Sequence, residues 1–187
     1  MPKPKLIVVS APSGCGKTTI AREILKRHPD MLFSVSATTR VKRESEVHGK
    51  DYFFLTKEEF EKNIQREELV EWEQIYGNYY GSLKREVDNA LRNGKSMLFD
   101  VDVKGALSIK KGYPNDAVLI FIQPPSLEAL TQRLTNRKTE SAEVIRKRLD
   151  RASMELEMGK GFHFAVVNDD LTTAINSVDE IINRATR

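Results

Sequence analysis

The chain has 187 residues, 40% hydrophobic and 30% charged, with a net charge of +3, which predicts one globular domain with room for an inserted subdomain. The single cysteine excludes an internal disulfide, no apolar run approaches the ~18–20 residues of a membrane span, and the N-terminus fits no signal peptide, so we expect a cytoplasmic protein. The mild positive charge suits small anionic substrates and does not by itself indicate a nucleic-acid binder.

The first motif is a hydrophobic strand that leads into a glycine-rich loop. Residues 5–10 form a continuous apolar run with β-branched residues, which is typical of a strand buried on both faces. Residues 11–18 follow and end in Gly-Lys-Thr, and a helix begins behind them and stops near His28. The glycines let successive backbone N–H groups point at an anion, and the helix start adds partial positive charge. An ordinary glycine turn is the alternative, but this context favours a nucleotide phosphate-binding loop.

The side chains of this loop predict specific contacts with a bound nucleotide. Lys17 would reach the outer phosphates, and the Thr18 hydroxyl would ligate a magnesium ion that bridges them. Ala11 stands where the general pattern has glycine. Cys15 has no second thiol to pair with, so we expect no redox role for it. The residues predicted to bind ATP here are Ala11, Pro12, Ser13, Gly14, Cys15, Gly16, Lys17, Thr18 and Thr19.

The rest of the chain alternates between strands and helices. Further strands are predicted over residues 33–36, 51–55, 69–75, 96–102, 117–123 and 162–167, and helices over 56–65, 82–93, 103–111, 126–137, 142–160 and 171–185. Thr56 and Glu59 are predicted to form a capping box at the start of the first of these helices, and Ser82 to cap the second. The alternation predicts an α/β fold, a doubly wound parallel sheet with helices on both faces. Residues 34–81 break it with short strands and turn-rich loops at 37–50 and 77–81, so we interpret them as a small inserted subdomain. The predicted core is then residues 1–33, 82–124 and 161–187.

A set of motifs follows the phosphate loop in order. They are Ser34-Val-Ser-Ala-Thr-Thr-Arg40, Arg43, Glu46-Val-His-Gly49, Asp51-Tyr52, Glu71-Trp72, Gly77-Asn-Tyr-Tyr-Gly-Ser82, Asp100-Val-Asp102 and Val167-Asn-Asp-Asp170. On this set the chain resembles the guanylate kinase family over nearly its whole length. The resemblance implies a P-loop NTPase-type fold with a GMP-binding subdomain at 34–81 and a helical lid at 125–160. Ser45, and Asn136 and Lys138 around Arg137, stand where the family usually has glycine, which affects loop geometry more than chemistry.

The resemblance also implies an acceptor site. Glu71 would accept the N1–H and N2–H donors of guanine, and Ser36 would donate to O6. Adenine would leave the carboxylate unpaired, and sites of this kind reject the wrong ligand by about 10⁴-fold. Without the family, Glu71 would be interpreted as a solvated strand residue. The other implied GMP contacts are Arg40, Arg43, Tyr52, Tyr80, Ser82, Asp100 and Asp102.

Two of these residues have further readings. Asp100 and Asp102 end a buried strand beside the phosphate loop, where doubly wound sheets bind ligands. Asp100 would hold magnesium through its water shell. Asp102 could equally well cap the helix that follows it.

Basic residues are dense between residues 133 and 151. The plain interpretation of this stretch, which includes Arg146, Lys147 and Arg151, is a solvated basic face. The resemblance instead implies a lid over ATP, with Arg137 and Arg148 contacting the transferring phosphoryl group. It adds Arg133, Asn168 and Asp169 as ATP contacts. The implied catalytic set is Lys17, Arg43, Arg137 and Arg148.

The function that this set implies is transfer of the γ-phosphoryl group of ATP to GMP, and to dGMP, with Mg²⁺ and without a covalent intermediate. ATP and GMP or dGMP would be the partners, with no nucleic acid or membrane, and a homo-oligomer is left open. One alternative is a non-catalytic guanylate-kinase-like module that binds phosphopeptides, which typically lacks a working phosphate loop. Another is a related sugar-phosphate kinase, against which Ser36, Glu71 and Tyr80 argue.

Overall fold

The fold is known from a computed structural model that describes residues 3–75, 77–136 and 142–187. The described residues form nine strands and seven helices. The strands are β1 (Leu6–Ser10), β2 (Leu32–Phe33), β3 (Ala37–Thr38), β4 (Phe53–Phe54), β5 (Leu69–Ile75), β6 (Asn78–Leu83), β7 (Met97–Asp100), β8 (Ala117–Gln123) and β9 (Phe164–Val167). The helices are α1 (Lys17–Arg27), α2 (Lys57–Gln65), α3 (Lys84–Arg92), α4 (Val103–Gly112), α5 (Leu127–Asn136), α6 (Ala142–Gly159) and α7 (Leu171–Ala185).

The main sheet is parallel, in the order β2-β7-β1-β8-β9. Its central strand β1 is buried throughout, because alternate side chains enter two separate cores. Ile7 and Val9 pack in a core with α1, α5 and α7, whereas Leu6 and Val8 pack in a core with α3 and α4. Helices therefore cover both faces, and the predicted doubly wound parallel sheet is confirmed.

A second sheet lies between β2 and α3 in the chain, in the order β4-β3-β6-β5. Its small core centres on Phe60 of α2, which is buried with Ala37 and stacks on Tyr79 at 5.2 Å between ring centroids. The predicted capping box of α2 is present: the Thr56 hydroxyl accepts from the Glu59 amide, and the Glu59 carboxylate accepts from the Thr56 amide. Two hydrogen bonds thus fix the start of the helix that closes this sheet.

The loop predicted at residues 77–81 is wrong, since these residues belong mostly to β6, which pairs antiparallel with β5 over Leu69 to Ile75. Its glycine and asparagine suggested a turn, but pairing across the sheet supplies the hydrogen bonds that local composition does not predict. Ser82 was predicted to cap α3 and does not. It lies inside β6, and Leu83 occupies the N-cap position without a side-chain hydrogen bond.

The strand predicted over residues 33–36 is also wrong in detail. Two short strands, β2 and β3, flank this segment and belong to different sheets, so residues 34–36 connect the sheets rather than pair in one. The strand predicted over residues 51–55 shortens to the two residues of β4. Among the described residues, no helix has the length and apolar character needed to cross a bilayer.

Candidate functional site

The glycine loop joins β1 to α1 at the carboxyl edge of the main sheet. Gly14 and Gly16 adopt positive φ angles of 93° and 81°, the region that side chains with Cβ rarely adopt. Gly16 is the N-cap of α1, and no side chain caps this end. The first N–H groups of the helix therefore remain available to an anion, as a phosphate-binding loop requires.

The far end of the chain holds this loop in place. The buried Asn168, just after β9, donates its side-chain amide to the carbonyl of Cys15 at 2.9 Å. A Cβ at Gly16 would lie only 2.6 Å from the same Asn168 nitrogen. Asn168 was predicted as an ATP contact, and the structure places it as a brace under the loop. Asp169 is exposed, and its carbonyl accepts from Arg133 at 3.4 Å.

Lys17, Thr18 and Asp100 meet where β7 ends beside the loop. The Lys17 ammonium donates to the carbonyl of Val101 at 2.7 Å and lies 2.8 Å from Asp100 Oδ1. The Thr18 hydroxyl donates to Asp100 Oδ2 at 2.9 Å. These contacts arise because β7 pairs directly with β1, so the two strands end at the same edge.

The donor set fits the magnesium ion that the sequence predicts. A hydroxyl and a carboxylate are oxygen ligands of the kind that Mg²⁺ prefers. Within the described part of the chain, no group of three or more histidine, cysteine or carboxylate residues could hold a metal by itself. A magnesium ion at Thr18 and Asp100 would therefore complete its shell with water and substrate phosphate oxygens, which is its usual behaviour.

A cleft of about 870 Å³ opens over the phosphate loop. Its floor is the loop with the first turn of α1, and its opposite wall comes from α6. Volumes of ~300–1,000 Å³ are typical of small-molecule sites, so the cleft can accommodate a nucleotide. Arg148 of α6 donates to the Ser13 hydroxyl at 3.1 Å and is therefore within reach of an anion in the loop. Arg137, predicted to act with it, lies outside the described residues.

A smaller pocket of about 200 Å³ lies on the other side of Asp100. It is lined by Ser36, Tyr52, Ser82 and Asp100, four of the residues predicted to bind GMP, together with Phe33, Ser34, Asp51 and Val101. Asp100 is thus a wall shared by this pocket and the phosphate loop.

Glu71 lies next to this pocket, as the cross-strand partner of Ser82. The Ser82 hydroxyl donates to the Glu71 carboxylate at 2.7 Å. Burial raises the pKa of Glu71 to about 7, the negative charges of Asp102 and Glu73 add to the increase, and the Ser82 hydroxyl opposes it. A partly buried carboxyl whose pKa is raised into the neutral range is typical of a functional site.

The predicted phosphate ligands of the acceptor are only partly assembled. Arg40 forms a two-pronged ion pair with Glu46, at 2.7 and 3.1 Å, and its guanidinium lies 5.3 Å from the centre of the Tyr52 ring. Tyr52 in turn makes an edge contact with Tyr80, with ring centroids 6.2 Å apart. The Arg40 hydrogen bonds lower the pKa of Glu46, and the Arg43 amide, which donates to the same carboxylate at 2.8 Å, lowers it further. Arg43 itself is exposed in the loop.

Sequence reasoning missed several residues of the site. It included Lys147 and Arg151 only in the basic stretch, without an individual contact, and did not name Glu155; all three line the large cleft from one side of α6. Their four-residue spacing was the signal that could have grouped them. Asp102 was predicted both as a GMP contact and as a possible cap, and the structure shows the cap: its carboxylate accepts from the Gly105 amide at 2.7 Å.

Comparisons with known proteins all point to one family. The sequence model of the family described as guanylate kinase matches residues 3–185. Relatives named guanylate kinase from Chlorobium chlorochromatii (strain CaD3) and Carboxydothermus hydrogenoformans are 48% and 44% identical, each over 97% of this chain and over 95% and 89% of their own lengths. A crystal structure of guanylate kinase from Anaplasma phagocytophilum superposes with a TM-score of 0.76 at 28% identity, covering all of this chain and 88% of that one.

Proposed function

The chain belongs to the guanylate kinase family of enzymes, whose P-loop NTPase-type fold it has, and we propose that it transfers the γ-phosphoryl group of ATP to GMP. One observation carries the proposal. Asp100 lines the acceptor pocket and also contacts Lys17 and Thr18 of the phosphate loop. A donor phosphate in the loop and an acceptor phosphate in the smaller pocket would therefore both lie next to the Asp100 carboxylate.

In this proposal, separate sets of residues bind the phosphoryl donor and the phosphoryl acceptor. The phosphate loop grips the donor phosphates, and Lys17 and Arg148 offset the charge on the transferring group. Glu71 accepts the two guanine donors, Ser36 donates to O6, and Arg40, Arg43, Tyr52 and Tyr80 bind the acceptor phosphate. Asp169 and Arg133 border the adenine side, and Arg137 joins Arg148 on the phosphoryl group. Phosphoryl transfer needs alignment and charge neutralisation, so in-line transfer without a covalent intermediate follows.

Magnesium belongs to the proposal through its fit at Thr18 and Asp100. When bound, the ion would neutralise phosphate charge and align the phosphates of the donor. We also propose that dGMP is accepted, because the acceptor contacts above address the base and the phosphate rather than the ribose. Residues 34–81 and 125–160 would close over the substrates as acceptor-binding unit and lid, which keeps water from the donor. A cytoplasmic location suits such an enzyme, with small-molecule partners only.

The test is ADP release measured with MgATP and a panel of acceptors: GMP, dGMP, AMP, UMP and ribose 5-phosphate. We expect turnover with GMP and dGMP, loss of turnover without magnesium, and at least about 10³-fold lower kcat/KM for AMP. A Glu71→Ala variant should raise the GMP KM about 10- to 100-fold and leave the ATP KM near its normal value. Glu58→Ala, an exposed change on α2, is the control. No turnover with GMP, or equal turnover with AMP, would contradict the proposal.

A further inference from the structure

A second cleft, of about 540 Å³, separates β5 of the acceptor sheet from α4 and α6. Its lining includes four carboxylates, Glu71, Glu73, Asp102 and Glu155. The cations among the lining residues are Lys104 and Arg151. Any movement that narrows this cleft brings like charges together, which is unfavourable unless a cation lies between them.

Arg151 of α6 is in the right place for that task. Its Nε lies 2.9 Å from the carboxylate of Glu155 on the same helix, and its Nη2 lies 3.5 Å from Asp102 Oδ2 at the end of the main sheet. A guanidinium has five N–H donors in a rigid fork, so two carboxylates leave donors unused. The side chain is 60% exposed, which leaves those donors accessible from the cleft.

Glu73 faces the same cleft from β5. Glu71 and Glu73 are two residues apart on one strand, so they share a face of the acceptor sheet. The Glu73 carboxylate makes no hydrogen bond or ion pair with any other described residue, although its backbone pairs with β6. Burial and the nearby Asp102 charge raise the pKa of Glu73, and the positive charge of Arg151 opposes this increase. A carboxylate that is half-buried without a partner is stabilised by any cation that reaches it.

We propose that Arg151 is a positioning residue that pairs with Glu73 when this cleft narrows, tying the helix that carries Arg148 to the strand that carries Glu71. Arg148 and Arg151 are three residues apart on α6 and lie on the same side of the helix. Fixing Arg151 against the acceptor sheet would therefore also fix Arg148 over the phosphate loop, where it contacts Ser13. The inference rests on the proposed function, because the pair would assemble the donor and acceptor sites together.

A double-mutant cycle tests the pair. Arg151→Gln, Glu73→Gln and the double variant are compared by kcat/KM for GMP at saturating MgATP. We expect each single change to lower kcat/KM about tenfold, and the double variant to be no worse than either single one. Arg151→Lys keeps the charge but not the planar fork, so it should recover only part of the activity that Arg151→Gln loses. Thermal unfolding of the free protein should show no such coupling, since the pair forms only on closure.

The matched control is the exposed pair of Glu180 and Arg184 on α7, 3.5 Å apart and remote from both clefts. Glu180→Gln and Arg184→Gln should leave kcat/KM unchanged. If the effects of Arg151→Gln and Glu73→Gln multiply in the double variant, the pairing is wrong. If the same coupling appears in the unfolding midpoint, the role is structural and the proposal is also wrong. A wild type that turns over GMP while the cycle shows no coupling overturns this inference alone, whereas a wild type without GMP turnover overturns the proposed function.

Discussion

Lowering the pH from 8 to 6 should weaken GMP use through one residue, Glu71. Guanine presents N–H donors, so the carboxyl must be ionised to accept them, and protonation removes that acceptor. Because burial raises the pKa of Glu71 to about 7, this protonation falls in the neutral range instead of near pH 4.5. GMP recognition is therefore complete above the raised pKa of Glu71 and is lost as the pH falls through it.

The size of the effect follows from the ionised fraction. With a pKa of about 7, about ten-elevenths of Glu71 is ionised at pH 8 and about one-eleventh at pH 6, so kcat/KM for GMP should fall about tenfold. A carboxyl at its ordinary value would lose less than about 5% of its ionised form over the same range. The Ser82 hydroxyl stabilises the ionised form, so Ser82→Ala should move the profile to higher pH.

The assay is the pH profile of kcat/KM for GMP at saturating MgATP, which reports ionisations of the free enzyme and free substrate. The substrate phosphate also titrates, with a second pKa of about 6, and its contribution must be removed. Glu71→Gln meets the same substrate but cannot titrate, so the difference between the two profiles isolates Glu71. Profiles of the same shape in wild type and Glu71→Gln would refute this reasoning.

Two substitutions and one labelling experiment test the donor side. Gly16→Ala combines a positive φ of 81° with a 2.6 Å clash against Asn168, whereas Gly94→Ala has a positive φ and no atom within 4 Å. In urea unfolding, Gly16→Ala should therefore lower the free energy of unfolding by about 1–3 kcal/mol more than Gly94→Ala does. Equal losses would contradict the conclusion that Asn168 supports the loop. The Cys15 thiol is fully buried, and burial raises its pKa to about 11. It should therefore resist a thiol-modifying reagent in the native protein at pH 8 and react after unfolding. Rapid labelling of the native protein would contradict this burial. Lys17→Ala should lower turnover at least about 10³-fold with an unchanged circular dichroism spectrum, and appreciable residual turnover would take Lys17 out of the site.

The core strands and the phosphate loop were predictable because their signals are local. A strand buried on both faces must be apolar at every position, and β1 and β8 are such runs. The loop needs glycine where φ is positive, and Gly14 and Gly16 supply it. The start of α2 was equally legible, since Thr56 and Glu59 satisfy each other's backbone amides within four residues.

The acceptor site was predicted less well from the sequence, and the wrong predictions for residues 78–81 and for Ser82 have a common cause. Residues 78–81 have the composition of a turn, yet they form a strand because β5 lies beside them. Ser82 looked like a helix cap, but its hydroxyl is directed to Glu71, eleven residues away. Neither fact follows from neighbouring residues, because strand register depends on which segments pair in three dimensions.

The sequence alone therefore predicts which residue types bind phosphates and the guanine edge, and in what order they occur along the chain. It does not predict the ionisation of Glu71, because its pKa depends on burial and on the charge of Asp102, thirty-one residues later. The contacts of Arg151 are only partly predictable from the sequence. Four-residue spacing predicts its ion pair with Glu155, but its contact with Asp102 depends on how α6 packs against the main sheet. Dehydration and charge–charge distance are properties of the packed molecule, and a list of residues carries neither.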